Sequence, residues 1–155
     1  MNRDETARRT NIVCAAERVL GSDPAQVWAL MADPARVGEW APLEVVGYMG
    51  TELPKSGQIV FLRTRRWRPR SRERRVEVEE WEAGSRYRCE ISTEAGSAIC
   101  FEVFVTPEVT GGAIATRIRL KQRMEVAAAP SALLRRLVSR QLERRLNRIE
   151  LALRS

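Results

Sequence analysis

The C-terminal part of the chain contains the feature that most restricts its fold, a long amphipathic segment that follows several strand-like segments. Pro130 predicts the start of a helix that runs to about Leu153. A helix of about 23 residues is roughly 35 Å long, enough to cross a whole sheet. Its apolar residues form one predicted stripe, namely Leu134, Leu137, Val138, Leu142, Leu146, Ile149 and Leu153. The preceding chain must therefore supply an apolar surface that covers this stripe.

The segments before the helix have the alternation and turn residues of antiparallel strands. The predicted strands cover residues 12–20, 43–49, 58–68, 73–82, 86–94, 98–106 and 113–125. In the last strand Ile114, Thr116, Ile118, Leu120, Gln122 and Met124 alternate with charged residues, so that one face is covered and the other is exposed to solvent. Seven strands twist too much to stay flat over one helix. We therefore expect an α+β fold in which a curved seven-stranded antiparallel sheet surrounds the C-terminal helix.

Two short helices are predicted between the first and second strands. Asp23-Pro24 and Asp33-Pro34 each combine a capping residue with proline at the first helical position. They predict helices over residues 25–32 and 34–40, separated by a sharp corner. Residues 1–11 are predicted to form a flexible arm, and residues 12–155 a single domain.

Composition excludes several classes of function. The chain has no histidine, which removes the usual zinc ligand and the side chain best suited to proton transfer near neutral pH. A metallohydrolase or a histidine-based triad is therefore excluded, and we predict neither a metal nor another cofactor. No apolar run is long enough to cross a bilayer and the N-terminus is charged. The chain is therefore expected to be cytoplasmic.

The segment from Val27 to Trp40 resembles a known family. It contains a Val27-Trp28 pair on the first short helix, an Asp33-Pro34 turn and a tryptophan that closes the second helix. Together with the order of elements, this resembles the polyketide cyclase/dehydrase branch of the START and birch-pollen-allergen superfamily. The resemblance implies a helix-grip fold and a ligand that is a lipid, a polyketide, an aromatic compound or another apolar molecule. Some relatives use the cavity for cyclisation and dehydration, whereas many have no known reaction.

A curved sheet and one helix seldom fill the space between them, and an unfilled apolar gap suits an apolar ligand. We therefore expect a hydrophobic cavity between them. The side chains predicted to face it are Trp40, Phe61, Tyr87, Ile91, Thr93, Phe101, Thr116, Ile118, Leu120, Gln122, Met124, Leu134 and Val138. Trp28 and Trp40 are also explained by ordinary core packing, and the strand residues by packing and hydrogen-bonded burial.

Candidates for catalysis are few. Glu80 shares a predicted strand face with Val76 and Val78, so that burial would raise its pKa and make it an acid or base. The simpler interpretation is that Glu80 is a cross-strand partner for an arginine. Tyr87 and an inward arginine such as Arg65 are the other groups able to move protons or stabilise charge.

The formal net charge of +7 is concentrated in a predicted hairpin that contains Arg63, Arg65, Arg66, Arg68, Arg70 and Arg72 with Trp67 among them. Arginines with an interleaved tryptophan suit phosphate binding with base stacking, and they also attract an acidic protein or an anionic membrane. The alternative function is therefore an interaction module that binds nucleic acid, an acidic protein or a membrane. A solvated hairpin whose arginines pair with glutamates explains the same residues.

Overall fold

Seven strands and three helices make up the part of the chain that the computed structural model describes, residues 9–50, 55–65, 73–92, 98–127 and 131–155. The strands are β1 (Arg9–Leu20), β2 (Leu43–Met49), β3 (Ile59–Thr64), β4 (Glu73–Glu82), β5 (Arg86–Ser92), β6 (Ala98–Thr110) and β7 (Ala113–Ala127). The helices are α1 (Pro24–Ala32), α2 (Val37–Trp40) and α3 (Ser131–Arg154), and a 3₁₀ turn over Pro34–Arg36 precedes α2. The predicted α+β class and element order are confirmed.

The strands form one antiparallel sheet in the order β1-β7-β6-β5-β4-β3-β2. The longest hairpin joins β6 to β7 through Gly111 and Gly112, whose φ angles are 61° and 80°. A two-residue turn with positive φ at both positions matches the twist of the flanking strands, and glycine adopts it without steric cost. This turn fixes the register in which Thr110 pairs with Ala113 and Ile99 pairs with Met124.

Helix α1 begins where Asp23-Pro24 predicts, whereas at Asp33-Pro34 the 3₁₀ turn begins and α2 itself starts only at Val37. Asp23 Oδ1 accepts a hydrogen bond from Ala25 N at 2.7 Å, and Asp33 Oδ1 accepts one from Ala35 N at 2.9 Å. Each carboxylate thus satisfies a backbone donor that has no partner inside the helix. Because the second cap follows directly after α1, the chain turns sharply and places Trp40 over the sheet.

The long helix α3 buries Val138, Leu142, Leu146 and Ile149 against β1 and α2. Leu137, which was predicted to belong to the stripe, is 53% exposed. At about 100° per residue, Leu137 lies roughly 140° from the stripe centre at Leu142, so helical geometry turns it outward. None of the described helices combines the length and the apolar character that a bilayer span requires.

An ion-pair network attaches α3 to β1. Arg18 donates to Asn147 at 2.6 Å, to Glu143 at 2.9 Å and to Glu150 at 3.2 Å. The helix therefore lies over the β1 side of the sheet. Strand β1 begins within the predicted arm, since Arg9 pairs with Ala127, while residues 1–8 of that arm lie outside the described residues.

Candidate functional site

A cavity of about 110 Å³ lies over strands β3 to β6, where the sheet faces α2 and α3. One water molecule needs roughly 10–15 Å³ of such space, so the cavity is large enough for a compact organic group. Its described wall is mainly apolar and consists of Met31, Ala32, Pro34, Val37, Trp40, Leu43, Val60, Leu62, Val76, Val78, Trp81, Tyr87, Cys89, Ile91 and Phe101, with the polar or charged Asp33, Gln58, Arg74 and Arg145.

Strand alternation places most of the sheet residues in this wall. On β4, however, the register shifts between Val78 and Glu80, which adds one residue to that strand. After this bulge Trp81 pairs with Tyr87 and both face the cavity, whereas Glu80 pairs with Arg88 on the opposite face. Strict alternation from Val76 and Val78 would have turned Glu80 inward, as the sequence analysis assumed.

Aromatic side chains close one end of the cavity. The ring centroids of Trp81 and Tyr87 are 5.5 Å apart and their planes differ by 20°. Trp28 packs edge-on against both rings, at 5.1 Å from Trp81 and 5.9 Å from Tyr87. The Tyr87 hydroxyl donates to Met31 O at 2.8 Å, which ties the end of α1 to the sheet. This end of the wall is therefore held by both packing and hydrogen bonding.

Burial keeps the protic groups of the wall neutral near pH 7. It raises the pKa of the Tyr87 phenol well above its usual value, and a smaller effect of Cys89 acts in the same direction. Burial also raises the pKa of the Cys89 thiol to about 12. Neither group is thus available as a base or a nucleophile near neutral pH.

Arg145 brings a positive charge into the wall from α3. Its guanidinium carbon lies 5.9 Å from the ring centroid of Trp40 and 5.3 Å from that of Phe101. Trp40 and Phe101 are themselves nearly parallel, with centroids 6.3 Å apart. Arg74 of β4 lines the same cavity. The predicted site residues did not include Arg145, Arg74 or Trp81.

Of the residues predicted to line the cavity, Trp40, Tyr87, Ile91 and Phe101 do so. The predicted β7 and α3 residues lie outside the described wall. The apolar ones belong to the core or pack against it, namely Ile118, Leu120, Met124, Leu134 and Val138. The polar ones, Thr116 and Gln122, are buried. Thr116 Oγ1 donates to Ser22 O at 2.7 Å, so its hydroxyl anchors the segment before α1.

Two predicted residues have other positions. Phe61 lies between Val60 and Leu62, which line the cavity, so its side chain is directed to the opposite face of β3. Val60 and Leu62 occupy the place that the sequence analysis gave to Phe61. Thr93 lies outside the described residues.

Neither Glu80 nor Arg65 lies in the described cavity wall. Glu80 forms ion pairs with Arg86 and with Arg88, the latter at 2.8 Å, as the simpler interpretation required, although these arginines belong to β5. The Arg65 guanidinium instead packs against Gly38 of α2, where the absence of a side chain leaves room for it.

The predicted basic hairpin is only partly described. Arg63 donates to Glu44 on the neighbouring strand at 2.8 Å, and Arg75 pairs with Glu77 at 3.2 Å. These described arginines are exposed members of ion pairs, which contribute little to binding or stability. The others, Arg66, Arg68, Arg70 and Arg72, lie outside the described residues.

Comparison with protein families gives one match over nearly the whole chain. Residues 13–154 match the model of a family described as "Polyketide cyclase / dehydrase and lipid transport". No curated protein matches the sequence. The match covers all the elements that build the cavity.

Solved structures share the fold at low sequence identity. A Staphylococcus aureus protein of unknown function, SA2116, has a TM-score of 0.77 at 11% identity, over 94% of this chain and 95% of that one. Ara h 8.0201 has a TM-score of 0.67 at 10% identity, over 94% and 100%. A point mutant of Thalictrum flavum norcoclaurine synthase, in complex with a transition-state analogue, has a TM-score of 0.66 at 12% identity, over 95% and 97%. At these identities the similarity establishes the fold alone.

Proposed function

The chain belongs to the polyketide cyclase/dehydrase and lipid transport family, and from this membership we propose that it binds a hydrophobic small molecule in the cavity over strands β3 to β6. The observation that carries the proposal is the mainly apolar, aromatic-rich wall around a space of about 110 Å³. Apolar cavities of this kind stay dry and gain free energy when an apolar group fills them. Lipids, polyketides and aromatic compounds are the classes that family membership suggests.

The described wall supports binding more directly than it supports catalysis. Tyr87 and Cys89 remain protonated near neutral pH, and the Tyr87 hydroxyl is already bonded to Met31 O. Asp33, an acidic residue of the described wall, caps the turn that leads to α2. A carrier or sensor of an apolar molecule is therefore the form of the function that we propose. The basic hairpin adds no second candidate, because its described members Arg63 and Arg75 are already paired with Glu44 and Glu77.

The proposal can be tested with N-phenyl-1-naphthylamine, an uncharged apolar dye that becomes fluorescent in dry sites. We expect saturable binding and a higher melting temperature, since free dye at a hundred times its dissociation constant stabilises the fold by about 2.7 kcal/mol. A variant with a filled cavity, Ile91→Trp, should lose at least about tenfold in affinity, because the indole occupies the space of the dye.

The matched control is Ile114→Trp, which makes the same change at a side chain that is 67% exposed, outside the described wall. It should bind the dye like the unmodified protein. The proposal fails if the dye does not bind, or if Ile91→Trp binds it as tightly as Ile114→Trp does. Circular dichroism of both variants establishes that they are folded.

A further inference from the structure

Arg145, in the cavity wall, has no ion-pair partner among the described residues. Arg145 Nε is buried without a hydrogen-bond acceptor, and no carboxylate in the described part of the chain forms an ion pair with the Arg145 guanidinium. The neighbouring glutamates on α3 are already engaged, since Glu143 and Glu150 bind Arg18 and Glu150 also binds Arg154. Arg145 is thus a partly buried arginine whose Nε lacks a partner, and buried polar groups of this kind are usually hydrogen-bonded.

A second arginine increases the positive potential at the same place. Arg74 projects from β4 into the wall, and its charge lowers the pKa of Arg145. Desolvation by burial is the larger cause, and together the two effects lower that pKa to about 10. Arg145 therefore remains cationic near neutral pH, in surroundings that favour the arrival of a negative charge.

A third donor lies beside these two charges. Trp40 Nε1 is buried without a hydrogen-bond acceptor, and the Trp40 ring is the one that Arg145 approaches. An indole N–H donates only, so Trp40 Nε1 is a donor that an acceptor from outside the described chain could satisfy. The acidic wall residue Asp33 forms no hydrogen bond with Trp40 Nε1, and its Oδ1 accepts from Ala35 N.

We infer that the cavity recognises a hydrophobic organic anion, with an aromatic or aliphatic body in the apolar part and a carboxylate beside Arg145. The inference rests on the proposed function and specifies the chemical class of its ligand. A planar guanidinium can donate two parallel hydrogen bonds to a carboxylate, and Trp40 Nε1 is a further donor at the same end of the cavity. The apolar wall around strands β3 to β5 would hold the body of the ligand.

The other explanation of Arg145 is structural, namely that it packs on Trp40 and Phe101 through cation–π contacts. Such contacts occur without any ligand and predict no preference for an anion. The two explanations therefore differ in how the protein distinguishes ligands of the same shape but different charge.

The test compares 2-naphthoate with 2-naphthamide by isothermal titration calorimetry at pH 7.5. These probes have the same ring system and nearly the same size, but only the first is an anion. We expect the intact protein to bind 2-naphthoate at least about tenfold more tightly. Arg145→Met should remove this preference and leave 2-naphthamide binding within about threefold, whereas Arg145→Lys should retain part of it because the charge remains.

The control variant is Arg144→Met, which removes an exposed arginine from the next position on α3 and should retain the full preference. Equal binding of the two probes by the intact protein overturns the inference, as does an unchanged preference in Arg145→Met. If neither naphthalene probe binds while N-phenyl-1-naphthylamine does, the inference fails and the proposed function stands. If none of the three binds, both fail.

Discussion

At the scale of single residues, Arg145 is where burial and charge oppose each other most strongly. Its guanidinium loses hydration in the wall of the cavity, which costs free energy. The cation–π contacts with Trp40 and Phe101 offset part of that cost. In the folded protein its pKa is about 10, below the usual value of 12.5. The empty protein is therefore less stable than it would be with an apolar side chain of similar length at this position.

We expect Arg145→Met to increase the free energy of unfolding by roughly 1 kcal/mol in the absence of ligand. The pKa of Arg145 is lower in the folded protein than in the unfolded chain. The unfolded chain therefore binds more protons only above about pH 9, and only there does the free-energy cost of the buried charge begin to fall as pH rises. The gain from Arg145→Met should therefore be the same at pH 6 and pH 8. Urea unfolding at both pH values measures it.

Arg144→Met is again the reference, since its side chain is exposed and its loss should change stability by less than about 0.5 kcal/mol. Lower stability of Arg145→Met in both conditions would contradict the burial argument. A gain that differs between pH 6 and pH 8 would instead show that another titrating group interacts with Arg145.

The helical position of Arg145 in the sequence indicates that it lies next to the stripe of apolar residues. Arg145 follows Leu142 by three residues and precedes Ile149 by four, which places it on the edge of the buried face. A charged residue at such a position indicates either a solvated edge or a buried function. Sequence alone could not decide between them, because the decision depends on Trp40 and Phe101, which are distant in the chain.

At the scale of secondary-structure elements, the bulge on β4 decides which side chains enter the cavity. Glu79 and Glu80 together occupy the space opposite Arg88, and Arg88 binds Glu79 at 2.9 Å and Glu80 at 2.8 Å. Without the extra residue, Trp81 would still face Tyr87, because one glutamate would remain opposite Arg88. The bulge thus accommodates one additional glutamate and keeps Trp81 on the same face of β4 as Val76 and Val78.

Deletion of Glu79 should therefore be tolerated. We expect a regular ladder in which Trp81 keeps its contact with Tyr87, a loss of no more than about 1 kcal/mol, and dye binding within about threefold of the intact protein. Deletion of Glu77 should be more damaging, because β4 is regular around that residue. The deletion would turn either Val76 or Val78 away from the cavity face. Thermal unfolding and N-phenyl-1-naphthylamine titration of the two deletions compare them. Equal damage by both would contradict the assignment of the bulge.

Most elements were predictable because each begins or ends with a local signal. Asp23-Pro24, Asp33-Pro34 and Gly111-Gly112 define two helices and a hairpin by their own backbone chemistry. The bulge at Val78 and Glu80 contains neither glycine nor proline, and it is visible only in the pairing of β4 with β5, which is distant from any local signal. The interpretation of Glu80 as an inward group failed for that reason.

At the scale of the whole molecule, the sheet has two parts, one covered by α3 and one that faces the cavity. The helix covers β1, which joins the long β6–β7 hairpin, and Arg18 fastens the two together. Strands β3 to β5, together with Phe101 of β6, face the cavity instead. The sequence predicted one helix inside a curved sheet, but it could not predict which strands the helix leaves uncovered, since this depends on long-range pairing.

Hydrogen exchange should report this division. We expect the slowest amide exchange in β1, β6 and β7, and exchange at least about tenfold faster in β3 and β4, because fewer buried contacts stabilise strands beside an empty space. A saturating cavity probe should also slow local exchange in β3 to β5, and it should slow exchange in β1 and β7 only through its effect on global unfolding. Mass spectrometry of peptic fragments measures both effects. Uniform protection across the sheet would contradict this description.

The position of Arg145 on the helix and of Arg74 on the sheet has a mechanical consequence. These two like charges repel each other, and the repulsion acts between α3 and β4. A guest with a negative group would cancel this repulsion and draw both walls toward itself. A bound anion would then hold α3 and β4 together, and the protein with ligand would be more rigid than the protein without it.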